Sequence, residues 1–293
     1  MGHLAHDLEI QLAYKKQMKL KSFDIYVNTH LVANNFLKKK WEEKLTFINP
    51  KIGFHLVVLN NFFSKFYKKF DDHDIKFNPY DGDGLLEDDQ TQQIFLTKKE
   101  IKKGWEILSK IGINENAKIA CLDVRDDAYL KSRFPNKNWN YNDYRDCDIQ
   151  NFISLTKYLN EKGYYVFRMG REVNLKMNYQ NPKYFEYCLS DIKNDFLDIF
   201  IASICEFVIS TGTGWAAVPT FNFRKPALYC NCLPAGELLT HSKKIMVSPK
   251  IHYSKKLNRN LNLQEIMSNY AFSIREEKIS SELIFKECDE NIL

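Results

Sequence analysis

Phe207-Val208-Ile209-Ser210-Thr211-Gly212-Thr213-Gly214-Trp215 joins a short β-branched run to small hydroxyl residues and two glycines, with a helix expected from Trp215 onward. That order reads as a strand–loop–helix unit. Glycine lets backbone approach a ligand closely, and the first N–H groups of a helix stabilise an anion. Ser210, Thr211 and Thr213 add hydroxyl donors. The unit suits a phosphate-bearing ligand. The structural alternative is a glycine-rich tight turn with no ligand.

The alternation recurs on both sides of this unit. A strand is expected over 118–124. Asp148 then caps a helix over 149–162 that stops at Gly163, where a residue without Cβ commonly ends helices. Further strands are expected over 164–169, 185–189 and 227–230, and Asp195 is expected to cap a helix running to Ile204. Strands alternating with helices imply a parallel sheet covered on both faces, and such sheets bind ligands beyond the carboxyl ends of their strands. The polar clusters of this half lie there: Arg125-Asp126-Asp127, Gly170-Arg171-Glu172, Ser190-Asp191, Ser210 to Gly214, and Asn231.

The first hundred residues are less regular. Apolar spacing predicts a helix over 8–20, then a strand over 23–27 and a helix over 34–41. Residues 54–59 fit either a strand or the start of a helix. Helices are expected over 62–70 and 98–110, and 78–89 is a loop dense in Gly and Asp. These elements divide the chain into an N-terminal α/β domain (1–112), a C-terminal α/β domain (113–262) and a helical tail (263–293).

The chain has 293 residues, 44% of them hydrophobic, enough for sizeable cores. Its net charge of +5 is a mild excess and argues against nucleic acid, which needs a strongly basic face. Lysines cluster at 15–21 and 38–40; solvated helix ends explain them, with peripheral contact at an inner membrane surface as the alternative. The seven cysteines are scattered and odd in number; they read as buried free thiols of a reducing compartment. Cys230-Asn231-Cys232 has no second pair at zinc spacing. With no secretory h-region and no run long enough to span a bilayer, a cytoplasmic location is expected.

Several stretches in family order resemble a family of bacterial surface-polysaccharide glycosyltransferases. They are Gly2-His3-Leu4-Ala5, Cys121 to Asp126 with Tyr129, Tyr144-Arg145, Gly163 to Gly170, Asp195 to Phe200, and Thr211 to Gly214. A more distant likeness to fucosyltransferases lies in the strand-to-Arg turn and the Ser/Thr-Gly loop. The resemblance implies two Rossmann-like domains facing a cleft, the arrangement called GT-B. It also implies a nucleotide-sugar donor and a glycan or lipid-linked acceptor. In that family a strand precedes the Gly-His-Leu-Ala turn, whereas here Met1 stands directly before Gly2, so that strand is expected to be missing.

On this reading His3 or His6 is the general base, oriented by Asp7, since imidazole titrates near neutrality; alternatively Asp7 merely caps a helix. Arg125, with Asp126 beside it, is placed to bind the departing diphosphate, since a guanidinium makes bidentate bonds to phosphate; the alternative is a surface ion pair. Arg168 and Arg171 either reach donor phosphate or pair with Asp191 or Asp195. Ser210, Thr211, Gly212, Thr213 and Gly214 form the anion loop. Asp198 is a candidate for holding an active-site loop, and Asn231 and Glu237 flank a turn that either meets ligand or is plain. Asp81-Gly82-Asp83 has the form of a metal motif but reads as a solvated turn; no metal and no cofactor are expected. A degenerate glycosyltransferase that binds without turnover is the rival reading.

Overall fold

The structure is a computed structural model and describes residues 1–27, 32–68, 84–233, 242–268 and 282–288. Asp81-Gly82-Asp83 and Glu237 lie outside the described residues.

The C-terminal half is built on a six-stranded sheet with every neighbouring pair parallel. Its strands are β3 (Ile119–Asp123), β4 (Tyr165–Arg168), β5 (Tyr184–Phe185), β6 (Phe207–Ser210), β7 (Ala227–Cys232) and β8 (Ile245–Pro249), in the order β5-β4-β3-β6-β7-β8. Alternate side chains of a strand point to opposite faces, and here each face has its own core. Ile119, Cys121, Phe167 and Val208 enter one apolar cluster, and Ala120, Leu122, Val166 and Ile209 enter the other. Burial on both faces accounts for the near-continuous apolar sequence of β3.

Helix α7 (Asp195–Ile204) covers the first face. Its cap is Asn194, whose side chain accepts from the Phe196 and Leu197 amides. Asp195, the expected cap, is instead the first helical residue, and its carboxylate accepts from the Asn35 amide at 2.7 Å. A short helix, α5 (Ala128–Arg133), follows β3. The expected long helix over 149–162 divides into a 3-10 turn (Ile149–Phe152) and α6 (Ile153–Glu161), with Asp148 capping the turn. The expected strand over 185–189 shrinks to the two residues of β5 before a 3-10 turn buries Tyr187 and Cys188. The helix expected from Trp215 is a turn followed by a π-helix (Val218–Asn222); Pro219 lacks the N–H that a regular ladder there would need.

In the N-terminal third, α1 (Gly2–Gln17) begins at the residue expected to form a glycine turn. Strands β1 (Ile25–Val27) and β2 (Thr46–Ile48) form a two-stranded parallel sheet, with α2 (Asn35–Glu42) between them and α3 (Pro50–Ser64) after. Residues 54–59 are therefore helical. Among the described residues this third has no Rossmann-like sheet of its own. Its apolar residues (Leu4, Leu8, Ile10, Leu37, Trp41) instead join the cluster on the first face of the large sheet, beside α4 (Lys98–Ser109). Each such side chain, fully buried, contributes roughly 1.5–3 kcal/mol. Beyond β8 the chain forms β9 (Ile251–Ser254), β10 (Arg259–Asn260) and α8 (Leu263–Ser268). The tail expected to be helical contributes β11 (Leu283–Lys286), antiparallel to β9; its Leu-Ile-Phe run suits a strand.

A buried polar group fastens α1 to the rest. Glu9, wholly buried, accepts from Arg224 Nη2 at 2.9 Å, from Asn222 Nδ2 at 3.0 Å and from the Gln93 amide at 2.9 Å. Burial pushes its carboxyl up to about 7, against the pull of Arg224. Removing one partner of such a pair leaves an uncompensated buried charge. Arg224→Met is therefore expected to cost about 3–5 kcal/mol in urea unfolding. Because the folded value of Glu9 lies above its unfolded 4.5, the native state holds this proton longer. Its stabilising contribution is complete below 4.5 and is lost as pH rises through about 7. Melting curves across that window should fall less steeply for Glu9→Gln than for the wild type; an unchanged slope would contradict this assignment.

Candidate active site

In the large sheet the chain runs outward from β3 through β4 to β5, then crosses back to form β6 on the other side of β3. The gap between β3 and β6 is thus the switch point at which open parallel sheets bind ligands. A cavity of about 250 Å³ lies there. Three loops frame it: Asp123 to Asp126 after β3, Gly170 to Val173 after β4, and Thr213 to Trp215 after β6, with Tyr129, Asp198, Met1 and Ala33 completing the wall. A larger depression of about 440 Å³ runs along the β5 edge past Tyr179, Pro182 and Glu186. It is open, lies away from the switch point and is lined by no Arg or Lys.

The loop after β6 departs from the expected anion cradle. Gly212 takes the left-handed φ of 86° that a tight turn needs, but the polar groups around it face one another. Ser210 Oγ accepts from the Gly212 and Thr213 amides, and Thr211 Oγ1 accepts from the Arg125 amide at 2.8 Å. Thr213 Oγ1 donates to the Asp123 carboxylate and accepts from the Trp215 amide. Asp123 also accepts from the Ala216 amide. The anion held by this turn is thus the protein's own carboxylate. Burial raises that carboxyl to about 6 despite these donors. Ser210, Thr211 and Gly212 do not line the cavity; Thr213 and Gly214 do.

Two cations border the cavity. Arg125 is mostly buried, and its Nε donates to Asp146 at 3.1 Å. Burial, then the charge of Arg145, lowers its guanidinium from the ordinary value. Burial also raises Asp146 to about 6, against Arg125, with Asp127 and Asp143 adding to the rise. Asp127, Asp143 and Asp146 bring carboxylate oxygens within 4.8 Å of one another, but Lys131 donates to Asp127 and Arg125 to Asp146, so protein cations already hold two of the three. Arg171 is about half exposed; it donates to the Ala33 carbonyl and lies 3.6 Å from Asp195. Arg168, read as reaching donor phosphate or as a structural partner of Asp191 or Asp195, is buried beside β5, where it donates to the Leu175 carbonyl and to Glu186 at 3.1 Å. It does not line the cavity. Its partner is Glu186, not Asp191 or Asp195, because Arg168 ends β4 directly beside β5.

Asp126 ties two rims together: it accepts from the Ala128 amide and from the Asn174 amide at 2.8 Å. Asp198, not proposed as catalytic from sequence, accepts from Tyr187 Oη at 2.9 Å and from Asn34 Nδ2 at 3.4 Å. Burial, reinforced by Asp195, raises its carboxyl to about 6. Its place one turn into α7 makes it legible as a structural residue; its carbonyl accepts from Trp215 Nε1, and both residues line the cavity. Asn231 sits in a bulge of β7, wholly buried, and accepts from the Cys288 amide. All seven cysteines are buried and none forms a disulfide.

His3 and His6 stand on the first turns of α1 around Asp7. His6 Nδ1 lies 2.5 Å and His3 Nδ1 3.3 Å from its carboxylate. Burial raises the Asp7 carboxyl, but the histidines outweigh it and hold it at about 2. The bond to Asp7 raises His3 in turn, against partial burial. Neither histidine lines the cavity, although their helix starts at its edge. There the backbones of Gly2 and Gly214 touch: a Cβ on Gly214 would stand 3.0 Å from the Gly2 amide nitrogen, and one on Gly2 would stand 3.4 Å from Gly214 Cα.

Fold and cavity together define an α/β protein with a switch-point site. No protein-family model matches the chain, and no curated protein is a significant match. Among solved structures it is similar to a glycosyl transferase family 9 protein of Veillonella parvula, with 13% identity over 94% of this chain and 77% of that one and a TM-score of 0.43. It is also similar to the ADP-heptose LPS heptosyltransferase II of E. coli, with 15% identity over 53% of this chain and a TM-score of 0.35. The chain aligns with 44% of that enzyme's length.

Close packing of backbone against backbone leaves little room to adjust. Gly214→Ala is therefore expected to lower stability by about 1–3 kcal/mol in denaturant titration, and Gly2→Ala by less. Thr213→Val removes a donor from buried Asp123 and should cost about 1–3 kcal/mol. An equal effect of the two alanine variants would argue against the close approach.

Proposed function

We propose that the protein is a glycosyltransferase that moves a sugar from a nucleoside-diphosphate donor to a glycan or lipid-linked acceptor in cell-surface polysaccharide assembly. The observation that carries this reading is the switch-point cavity bordered by Arg125 and Arg171. Its volume suits part of a nucleotide sugar, and two guanidiniums suit a diphosphate. Residues 113–262 bind the donor; residues 1–112 supply the acceptor side. Seven buried thiols, none of them in a disulfide, fit a reducing, cytoplasmic setting.

In the proposed reaction the acceptor oxygen bonds to the anomeric carbon as the bond from that carbon to the diphosphate oxygen breaks. The electron pair leaves on the diphosphate, where Arg125 and Arg171 stabilise the growing charge. The acceptor proton passes to a base at the cavity. Asp198, on the cavity wall with its carboxyl raised to about 6, is that base on the geometry, with the His3–Asp7–His6 group as the sequence-based candidate. The chemistry is proposed without a metal; cationic side chains take its part.

Binding is tested by thermal shift against a panel of nucleoside diphosphates and nucleotide sugars, since a ligand bound by the native state alone must raise the midpoint. One nucleotide class should shift the wild type. Arg125→Ala and Arg171→Ala should each weaken binding by roughly tenfold or more, the scale of a charge-assisted hydrogen bond. Turnover is read separately by donor hydrolysis and transfer. Loss of the base should lower kcat about 10²–10⁴-fold, so Asp198→Asn measured beside His3→Gln and His6→Gln identifies it. A specific observation favours a second reading, binding without turnover: the loop donors and Arg125 are engaged within the protein. A shift with no turnover on any donor would select it.

A further inference from the structure

Helix α3 carries its apolar side chains outward. Along Lys51–Ser64 only Gly53, Asn60 and Ser64 are shielded from solvent, and their i, i+7, i+11 spacing makes one stripe of an α-helix. Gly53 permits the contact on that stripe: a Cβ there would lie 2.4 Å from Val27 Cγ2 of β1. The side facing the protein is thus small or polar. Ile52, Phe54, Val58, Leu59, Phe62 and, just past the helix, Phe66 are 47–68% exposed. A surface helix ordinarily turns its apolar stripe inward; an exposed patch of this kind marks an interaction site.

Charge within the segment that carries the patch has one sign, with Glu42-Glu43 before it and Asp71-Asp72 after it. Residues 44–70 contain Lys44, Lys51, Lys65, Lys68 and Lys69 and no Asp or Glu. The lysine clusters singled out from sequence are different in kind: Lys15 pairs with Asp24 at 2.5 Å and Lys40 with Glu100 at 2.9 Å.

We propose that α3 is an in-plane membrane helix that seats the protein on an anionic phospholipid surface. Apolar side chains flanked by lysines match acyl chains beneath anionic headgroups. A second copy fits less well, because a two-fold contact sets the same patch against itself and brings lysine towards lysine. Among the described residues no helix is long and apolar enough to cross a membrane, so α3 lies along the surface. The proposal does not depend on glycosyl transfer.

The test is co-sedimentation of the full chain with vesicles of phosphatidylglycerol and phosphatidylcholine, and with phosphatidylcholine alone, alongside its mass in solution. Two variants are compared: Phe54→Ser with Phe62→Ser and Phe66→Ser, and Lys51→Glu with Lys65→Glu and Lys68→Glu. All these side chains are exposed, so both variants should melt like the wild type. The wild type should bind the anionic vesicles and release them as salt rises. The phenylalanine variant should lose binding, and the lysine variant should lose about fivefold or more per reversed lysine. The proposal is overturned if the wild type stays in the supernatant, if neither variant changes binding, or if the patch proves to hold a dimer that the phenylalanine variant dissociates.

Discussion

Asp123 ends the central strand β3 with a carboxyl that is only 2% exposed, and it is tolerated there because Thr213 and the Ala216 amide donate to it. Burying a carboxylate without donors is costly, so the loop after β6 has to close over β3 wherever Asp123 is ionised. That closure fixes the rest of the site. It places Gly214 against Gly2 and so sets where α1 begins. It also places Trp215 against the Asp198 carbonyl, and both residues line the cavity. Thr211, in the same loop, accepts from the Arg125 amide and so aims the loop after β3.

The result is a cavity with both signs of charge at close quarters. Asp123 and Asp198 are each raised to about 6, and Arg125 and Arg171 stand on the same wall. An anionic ligand meets least resistance when the carboxyls hold protons. Arg125 must also exchange part of its contact with Asp146 for the ligand. Asp146, itself raised to about 6 by burial, releases that guanidinium more readily as pH falls towards 6.

Much of the sheet was legible because its signals are local. The β-branched run at 207–210, the apolar run at 119–123, the Asp148 cap and the Gly163 stop each declare themselves within a few residues, and each matches an observed boundary to within a residue or two. The readings that failed or stayed open depend on long-range contacts. For Arg168 the sequence offers donor phosphate or a structural ion pair, and only the position of β5 shows that the pair is with Glu186. The Ser/Thr-Gly loop has the composition of an anion cradle, and only the arrival of Asp123 reveals that its donors are used. Asn194 and Asp195 are both good caps by type; the Asn35 amide decides between them by engaging Asp195. Asp198 and Trp215 touch across 17 residues and both line the cavity, a pairing that no spacing rule reports.

The most direct measurement is a crystal structure with a bound nucleoside diphosphate of the class the protein prefers. The account predicts the diphosphate in the cavity between the β3 and β6 loops, with Arg125 turned from Asp146 towards it and Arg171 within hydrogen-bonding reach. A diphosphate bound elsewhere, for example along the β5 edge, or a cavity that stays empty at saturating ligand, would contradict the site and with it the proposed activity.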